Sequence, residues 1–285
     1  MQNEILVFGS FTKDTLENHK KEKGIAIGGS GAYFSIASSL VGVKAYPVGY
    51  ISIDINDEEI KELSKFVDLK YLKRERKLNF HISYNENLEA NYLKDLKEDD
   101  EIIEFKNLPI KKYVHVCVIS SIKNQIEIIE HFKNNGSFVS TGTYLIRVKS
   151  DRKEVLNMLY SSDLFFLNKE ESLALTEESN LNSAIDFFKR SGKRVVITLG
   201  KDGAIYIENE KIFKIDSYKT EVKDPTGAGE TFAGGFVSSF ILFNDPLLSL
   251  KYGVVLSSFV IEEFGLNKLL KINEEDIKRR LKSFL

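Results

Sequence analysis

Short apolar segments alternate with longer amphipathic segments along most of this chain, and this alternation constrains the fold more than any other feature. The short segments are rich in β-branched and aromatic residues and predict strands, whereas the longer segments have helical spacing. Strands that alternate with helices favour a mostly parallel sheet covered by helices on both faces. We therefore expect an α/β fold, a three-layer α/β/α sandwich.

The predicted strands are Ile5–Phe8, Ala45–Val48, Val114–Ile119, Phe138–Ser140, Leu164–Leu167, Val195–Thr198, Ala204–Ile207 and Ile212–Ile215. The predicted helices cover residues 30–41, 57–66, 122–134, 151–160, 181–191, 227–243, 246–264 and 274–284. No linker or repeat interrupts them, so we expect one domain over residues 1–285. Residues 14–27 are polar and loop-like, and residues 78–95 alternate around an Asn-Glu-Asn turn, which predicts a hairpin. We expect parts of both segments to form a small β lid.

The charge balance argues against a nucleic acid partner. The chain has 40 Lys+Arg against 42 Asp+Glu, without the basic excess of duplex-binding proteins. A single cysteine, Cys117, lies in an apolar segment and is expected to be a core thiol. No apolar stretch approaches the ~18 residues of a membrane span, and the first residues lack a basic signal region. These features predict a cytoplasmic protein with no membrane partner.

The segment 223–236 carries the clearest chemical signal. Gly227 and Gly229 flank one alanine, and the residues that follow have the composition of a helix. Free main-chain amides at a helix start form an anion-binding site when no side chain is in the way. Asp224 and Glu230 add a carboxylate on either side. This arrangement suits a hydroxyl that attacks a phosphate, because one carboxylate can remove the proton while a metal neutralises charge.

The segment 223–236 also fits a helix start that binds no ligand, and it lacks two common nucleotide-binding motifs. Glycine turns followed by acidic first-turn residues are favoured by the helix dipole without any ligand. No Gly-Lys-Ser/Thr follows, which excludes a Walker loop, and the third glycine of a dinucleotide fingerprint is missing.

The segment resembles the C-terminal signature of the ribokinase-like (PfkB) carbohydrate kinases, Asp-Thr/Pro-x-Gly-Ala-Gly-Asp followed by a helix. Further matches occur in the family's order along nearly the whole chain. They are Gly9–Asp14 for the first strand-end motif, Gly28–Gly42 for the Gly-Gly helix entry, Asn168–Glu171 for the Asn-x-x-Glu magnesium motif, and Thr198–Ala204 for the nucleotide-binding turn. The resemblance implies a ribokinase-like fold and an ATP-dependent sugar kinase.

The resemblance also implies roles for single residues. The residues expected to act in catalysis are Glu230, as the base, with Gly227, Ala228 and Gly229. The residues expected to contact ATP are Asp224, Thr226, Thr198, Gly200 and Gly203. The residues expected to bind the acceptor are Asp14, Gly28 and Gly29. Mg²⁺ is expected at Asn168 and Glu171, and a monovalent cation is a further candidate cofactor.

Several of these matches have a simpler structural alternative. Asp14 fits an ordinary turn residue after a strand. Ser30 fits a plain cap for the helix that follows the glycine pair. Asn168 and Glu171 stand three residues apart at a helix start, which also fits a capping box.

Glu230 departs from the family pattern, which has aspartate at this position. Glutamate reaches about one methylene further, and misplacement by about 1 Å can cost on the order of a hundredfold in rate. Three explanations follow: a shifted backbone or substrate that lets Glu230 act, slow activity toward an unusual substrate, or ligand binding without turnover. The other motif residues are present, which favours a working enzyme.

The acceptor is less constrained than the reaction. A phosphorylated acceptor would need basic lid residues, and the candidates are Lys13, Lys20, Lys21 and Lys23. The aromatic candidates for stacking on a base or a sugar face, or simply for packing the hairpin, are Phe80, Tyr84 and Tyr92. We expect an uncharged sugar or polyol as the acceptor, with a nucleoside as the next choice. The rival of a different class is a non-catalytic nucleotide- or sugar-sensing protein. An exposed hairpin edge also predicts a homodimer through the lid.

Overall fold

The computed structural model describes residues 3–88, 90–93, 102–119 and 121–284. The strands are β1 (Glu4–Phe8), β2 (Thr12–Glu17), β3 (Lys23–Gly28), β4 (Lys44–Tyr50), β5 (Tyr71–Lys73), β6 (His81–Tyr84), β7 (Ala90–Leu93), β8 (Tyr113–Val116), β9 (Phe138–Gly142), β10 (Leu164–Asn168), β11 (Arg194–Thr198), β12 (Ala204–Glu208) and β13 (Lys211–Ile215). The helices are α1 (Ser30–Val41), α2 (Asp57–Leu63), α3 (Ile122–Asn134), α4 (Leu145–Ser150), α5 (Arg152–Ser161), α6 (Lys169–Thr176), α7 (Leu181–Ser191), α8 (Ala228–Phe243), α9 (Pro246–Val260) and α10 (Glu274–Leu281). None of the helices in these described ranges is long and apolar enough to cross a membrane.

The large sheet of the described residues has the strand order β13-β12-β11-β10-β9-β8-β1-β4-β5. The strands from β11 to β5 are parallel to their neighbours, and β12 and β13 extend that sheet with antiparallel pairing. Successive side chains of β1 point to opposite faces. Ile5 and Val7 therefore join a core with α1, α8 and α9, while Leu6 and Phe8 join a second core with α3, α5 and α7. The predicted three-layer α/β/α fold is confirmed.

A smaller sheet has the strand order β3-β2-β6-β7. The predicted hairpin corresponds to the antiparallel pair β6 and β7, although residues 89, 94 and 95 lie outside the described residues. The prediction of a loop-like segment at 14–27 was wrong, because β2 and β3 form an antiparallel pair there. The alternation in β2 was hard to recognise since two of its three buried positions, Thr12 and Asp14, are polar and only Leu16 is apolar.

Some element boundaries also differ from the prediction. The strand predicted at 114–119 ends at Val116, although Cys117 beyond it is buried as expected. The helix predicted to end at residue 264 ends at Val260. The short elements β5 and α4 were not predicted, because three to six residues carry too little periodicity to stand out. For α6 only the helix start at Asn168 and Glu171 was predicted, and its extent to Thr176 was not.

Helices α1 and α8 pack side by side, and this contact brings two glycine-rich segments together. A Cβ on Gly234 would lie 2.5 Å from the carbonyl oxygen of Phe34, so the close approach of the two backbones depends on glycine. One turn later, Ser238 Oγ donates to Ser38 Oγ at 2.7 Å. The pairs run in the same order along both helices, so the helices are parallel and their N-terminal ends lie at one edge of the large sheet.

Candidate active site

The turn before α8 presents main-chain amides. Gly227 is the N-cap of α8 with φ 76° and ψ 3°, a left-handed conformation that glycine adopts without strain. A Cβ on Gly227 would lie 2.5 Å from the ring of Tyr33, so a larger residue would not fit. Ala228 is the first helical residue, and a Cβ on the next residue, Gly229, would meet nothing within 4 Å. The first amides of a helix lack intrahelical acceptors, so this turn can bind an anion in the open space at Gly229.

Asp224 stabilises the shape of this turn through hydrogen bonds. Its side chain is 1% exposed. Oδ1 accepts from the Thr226 amide at 3.0 Å and from Thr226 Oγ1 at 2.6 Å, and Oδ2 accepts from the Gly265 amide at 3.1 Å. Burial raises the pKa of Asp224, and these hydrogen bonds oppose the shift. Both carboxylate oxygens thus bind protein donors, so the geometry gives Asp224 an anchoring position, and its predicted contact with ATP stays a prediction.

Glu230 lies in the first turn of α8 and is half-buried. Burial raises the pKa of its carboxyl group, and its own main-chain amide opposes that shift. Burial is also the main reason that the pKa values of Glu171 and the Cys117 thiol are raised, and the charge of Glu230 adds to both shifts. Glu171 and Cys117 therefore each lie close enough to Glu230 to feel its charge. A carboxylate with a raised pKa beside an anion-binding turn is suited to accept a proton.

Asp14 and the glycine pair form the opposite side of the site. The Asp14 carboxylate is 2% exposed and accepts from Thr12 Oγ1 at 2.8 Å and from the Phe80 amide at 2.9 Å. Burial raises the pKa of Asp14 to about 6, and the nearby charge of Asp224 adds to the shift. Asp14 belongs to strand β2 and is not the plain turn residue considered above.

The glycine pair leaves room for Asp14 and for the start of α1. Gly28 ends β3, and a Cβ on it would collide with the Asp14 carboxylate. Gly29 is the N-cap of α1 with φ 100° and makes no side-chain cap. The alternative that Ser30 caps this helix is wrong: Ser30 is its first residue, and its hydroxyl donates to the Val118 carbonyl oxygen at 3.4 Å.

Asn168 and Glu171 form the capping box of α6. Asn168 Oδ1 accepts from the Glu171 amide at 2.8 Å, and the Glu171 carboxylate accepts from the Asn168 amide at 2.8 Å and from Asn168 Nδ2 at 2.7 Å. Burial raises the pKa of Glu171 to about 8, and the charge of Glu230 contributes. The capping box, which was the simpler alternative to a metal site, is therefore present in the structure.

A capping box does not exclude a metal at this position. No group of three or more His, Cys, Asp or Glu side chains in the described ranges is arranged to hold an ion. Mg²⁺ usually keeps several waters and binds to one or two carboxylates together with phosphate oxygens. Glu171 and Glu230 bring two carboxyl groups with raised pKa values together, and a divalent cation bound there would favour their ionised forms. These residues fit Mg²⁺, and their role as its ligands stays a prediction.

The predicted nucleotide turn lies beside this pair. Thr198 ends β11 directly opposite Asn168, which ends the parallel neighbour β10. Gly200 opens a 3-10 turn, and Gly203 closes it, with the Leu199 amide donating to the Gly203 carbonyl oxygen at 2.8 Å. The turn leads from β11 into the antiparallel strand β12. The predicted segments at residues 168–171 and 198–203 thus lie at, or directly after, the ends of neighbouring parallel strands, the edge where α/β folds bind ligands, whereas Asp14 comes from the middle of β2 in the small sheet.

Comparison with known proteins identifies the family. Residues 13–273 match the pfkB family carbohydrate kinases. The chain belongs to this family. The match covers most of the chain and every predicted site residue, and it confirms the resemblance noted from the motifs. As a PfkB kinase the protein is a carbohydrate kinase, and ATP is the phosphate donor of this family.

Individual relatives differ in their acceptors. The chain is 24% identical to the ATP-dependent 6-phosphofructokinase of Thermoanaerobacterium thermosaccharolyticum over 84% of this chain and 80% of that protein. It is 25% identical to the cytidine kinase of Thermococcus kodakarensis over 92% of this chain and 97% of that one. Fructokinase from Vibrio cholerae, crystallised with fructose, ADP and a calcium ion, has a TM-score of 0.82 at 17% identity and covers 98% of this chain and 99% of its own. This last likeness confirms the ribokinase-like fold.

Tyr33 is a residue of this PfkB site that the sequence motifs did not reveal. Its side chain is 2% exposed, its ring lies against Gly227, and its hydroxyl has no hydrogen-bond partner among the described residues. Burial raises the pKa of the hydroxyl well above its ordinary value, and the charges of Asp224, Asp14 and Glu230 add to the shift. The hydroxyl therefore interacts electrostatically with carboxylates from both sides of the site. Its position in the first turn of α1, beside α8, is a tertiary contact that no sequence pattern reveals.

The lysines considered for a phosphorylated acceptor are paired with carboxylates. Lys13 forms an ion pair with Glu59. Lys20 lies 3.0 Å from Glu221, and both Lys21 and Lys23 lie within 3.3 Å of Glu17. By contrast, the interior of the site holds the carboxylates of Asp14, Asp224, Glu171 and Glu230.

Proposed function

We propose that the chain transfers the γ-phosphoryl group of ATP to a hydroxyl of an uncharged sugar or polyol, with Glu230 as the base. The observation that carries this proposal is the convergence of an open amide turn and a carboxylate at the start of α8. Gly229 leaves space for a phosphoryl group, and Glu230 follows it directly with a raised pKa. Asp14 stands across the site, where it can accept hydrogen bonds from acceptor hydroxyls.

The proposed ATP site lies at the edge of the large sheet. ATP would lie along the turn at residues 198–203, with its phosphates reaching the α8 amides, which would bind the negative oxygens of the transferred group. Asn168 and Glu171 would hold Mg²⁺, which when bound neutralises charge on the phosphates. Aligned donors and a correctly placed hydroxyl account for most of the rate enhancement in phosphoryl transfer.

On the acceptor side, Glu230 would remove the proton from the attacking hydroxyl oxygen. The longer glutamate side chain starts one position after the open space at Gly229 and is half-buried. Asp14 would accept hydrogen bonds from neighbouring hydroxyls and so orient the acceptor. The small sheet would act as a lid that excludes water, which could otherwise take the phosphoryl group. The proposal also includes a single domain that carries this sheet as its lid, and a homodimer that forms through the edge of the sheet.

A nucleoside is the second candidate acceptor. The alignment with the cytidine kinase of Thermococcus kodakarensis covers 97% of that protein, which supports this alternative. Phe80, whose ring a base could stack on, packs partly buried against the core of the small sheet, and its amide donates to the Asp14 carboxylate. A nucleoside would use the same donor side and the same base.

The test is a coupled assay of Mg²⁺-dependent ADP release, with each acceptor supplied in pairs. Fructose is compared with fructose 6-phosphate, ribose with ribose 5-phosphate, and cytidine with cytidine monophosphate. We expect the uncharged member of one pair to support turnover, with the phosphorylated member at least about tenfold weaker in kcat/KM. Turnover with the phosphorylated members alone would contradict the assignment of an uncharged acceptor. Confirmed ATP binding with no release for any acceptor would favour the sensing protein.

A further inference from the structure

A chain of hydrogen bonds connects the small sheet to the phosphate-binding turn. Tyr84 is the last residue of β6, and its ring packs in the core of the small sheet with 6% exposure. Its hydroxyl lies 2.9 Å from Thr226 Oγ1. Thr226 Oγ1 in turn donates to Asp224 Oδ1 at 2.6 Å. Since the threonine proton is used in that bond, Tyr84 is the donor to Thr226.

The edge strand β3 of the small sheet is attached to the same carboxylate. Asp224 Oδ2 accepts from the Gly265 amide at 3.1 Å, and the next amide, of Leu266, donates to the Ile27 carbonyl oxygen of β3 at 3.0 Å. The Phe264 ring also packs directly against Gly24 of β3. Asp224 therefore connects to β6 through Thr226 and to β3 through residues 264–266. One buried carboxylate thus links the turn at 224–229 to two strands of the small sheet.

We propose that Tyr84 is a positioning residue that couples the seating of the small sheet to the geometry of the phosphate-binding turn. The inference rests on the proposed function, in which that turn binds the transferred phosphoryl group. Thr226 precedes Gly227, the N-cap of α8, so a shift of Thr226 moves the amides that follow. When the small sheet moves away, Thr226 loses the Tyr84 hydrogen bond and the turn gains freedom. A misplacement of about 1 Å in such a turn costs on the order of a hundredfold in rate.

The coupling has a functional consequence. The turn takes its active geometry only when the small sheet is seated, and the seated sheet also excludes water from the site. A bound acceptor that holds the sheet in place thus favours transfer to itself over hydrolysis of ATP. Tyr84 contributes to the choice between the two reactions although it need not touch the reacting atoms.

The variant Tyr84→Phe keeps the ring in the core and removes the hydroxyl. The matched control is Tyr46→Phe. Tyr46 lies in β4, outside the candidate site, and its hydroxyl donates to the Glu4 carboxylate at 3.1 Å. The first readout is amide hydrogen exchange without ligands, which needs no activity. We expect the amides of Thr226 and Gly265 to exchange about two- to tenfold faster in Tyr84→Phe, the range set by loss of one hydrogen bond, and to be unchanged in the control.

The second readout is kinetic, with the best acceptor from the paired assay. We expect Tyr84→Phe to lower kcat for acceptor phosphorylation about tenfold and to lower the ratio of acceptor phosphorylation to acceptor-independent ATP hydrolysis. A merely structural role would lower the melting temperature but leave that ratio unchanged. In a cycle with Thr226→Val, the double variant should exchange at Gly265 no faster than Thr226→Val alone, because both remove the same link.

The outcomes separate this inference from the proposed function. Unchanged exchange at Thr226 and Gly265 in Tyr84→Phe would overturn the coupling, whether or not an acceptor is found. Faster exchange with no turnover for any acceptor in the wild type would support the coupling as a mechanical link and contradict the proposed kinase reaction. An unchanged reaction ratio in an active enzyme would also overturn the role of Tyr84.

Discussion

Replacement of Gly229 by alanine separates the stability of this protein from its proposed activity. Gly229 is the second residue of α8, its φ is outside the left-handed region, and a Cβ there would meet nothing within 4 Å. The free protein therefore has room for the methyl group. Alanine favours a helix by up to about 1 kcal/mol over glycine, and the first turn should realise roughly half of that. For a chain of this size we expect the melting temperature to rise by about 1 °C.

The same methyl group would occupy the space that we assign to the phosphoryl group. A Cβ in a helix points toward the helix N-terminus, which here is the anion-binding turn. Displacing the phosphoryl oxygens by about 1 Å should lower kcat/KM on the order of a hundredfold, or about 2.7 kcal/mol of transition-state stabilisation. The expected result is thus a slightly more stable protein with much weaker activity.

The assay combines thermal unfolding with ADP release at saturating ATP. Gly234→Ala is the matched control in the same helix, since its Cβ would lie 2.5 Å from the Phe34 carbonyl oxygen. This control should lose about 1–3 kcal/mol of stability through overpacking while its folded fraction keeps most of its activity. Full activity in Gly229→Ala would refute the location of the phosphoryl group. A lowered melting temperature in that variant would refute the open space at Gly229.

Three further changes test other parts of the site. Glu230→Gln should leave ATP binding intact, as measured by calorimetry. It should cut turnover more than about a hundredfold, as expected for loss of a general base. Retained turnover would remove Glu230 from the mechanism. Tyr33→Phe removes a buried hydroxyl without a partner among the described residues, so it should raise the free energy of unfolding by about 1 kcal/mol. The same variant should raise KM for the acceptor. A less stable variant with unchanged KM would show that the hydroxyl serves the fold. Burial lowers the pKa of His115 to about 3, whereas an unfolded histidine titrates near its ordinary value of 6.5. Because the unfolded chain then binds the extra proton as the pH falls through about 6.5, the wild type should lose about 1.6 kcal/mol more stability between pH 6.5 and 5.0 than His115→Phe. Equal losses in urea unfolding would show that His115 takes up its proton in the folded state.

The large sheet and its helices were predictable because their apolar patterns are long and regular. Strands such as β1 and β10 are buried on both faces, so their sequences are nearly continuous apolar runs. Helices α3 and α7 carry a clear cap and a clear apolar stripe. The positions of Asn168 and Thr198 at strand ends followed from the same pattern, and the family match confirms the resemblance.

The small sheet and the finer site geometry were less accessible, because they depend on tertiary contacts. In β2 the buried side of the strand carries Thr12 and Asp14, whose hydrogen bond makes their burial tolerable. The sequence motifs marked Asp224 as a nucleotide contact, whereas the fold surrounds it with donors from Thr226 and Gly265. Likewise Tyr33 enters the site only through the packing of α1 on α8. Partners far apart in sequence leave no local pattern.

The central claim is that the phosphoryl group of ATP passes to an acceptor hydroxyl. The most direct test is ³¹P NMR of the wild-type enzyme with Mg²⁺, ATP and the best uncharged acceptor from the paired assay. We predict a phosphate monoester resonance that grows in step with ADP, about one ester per ADP, with little inorganic phosphate. Growth of inorganic phosphate alone, or no change in the ATP resonances while ATP is bound, would contradict the account.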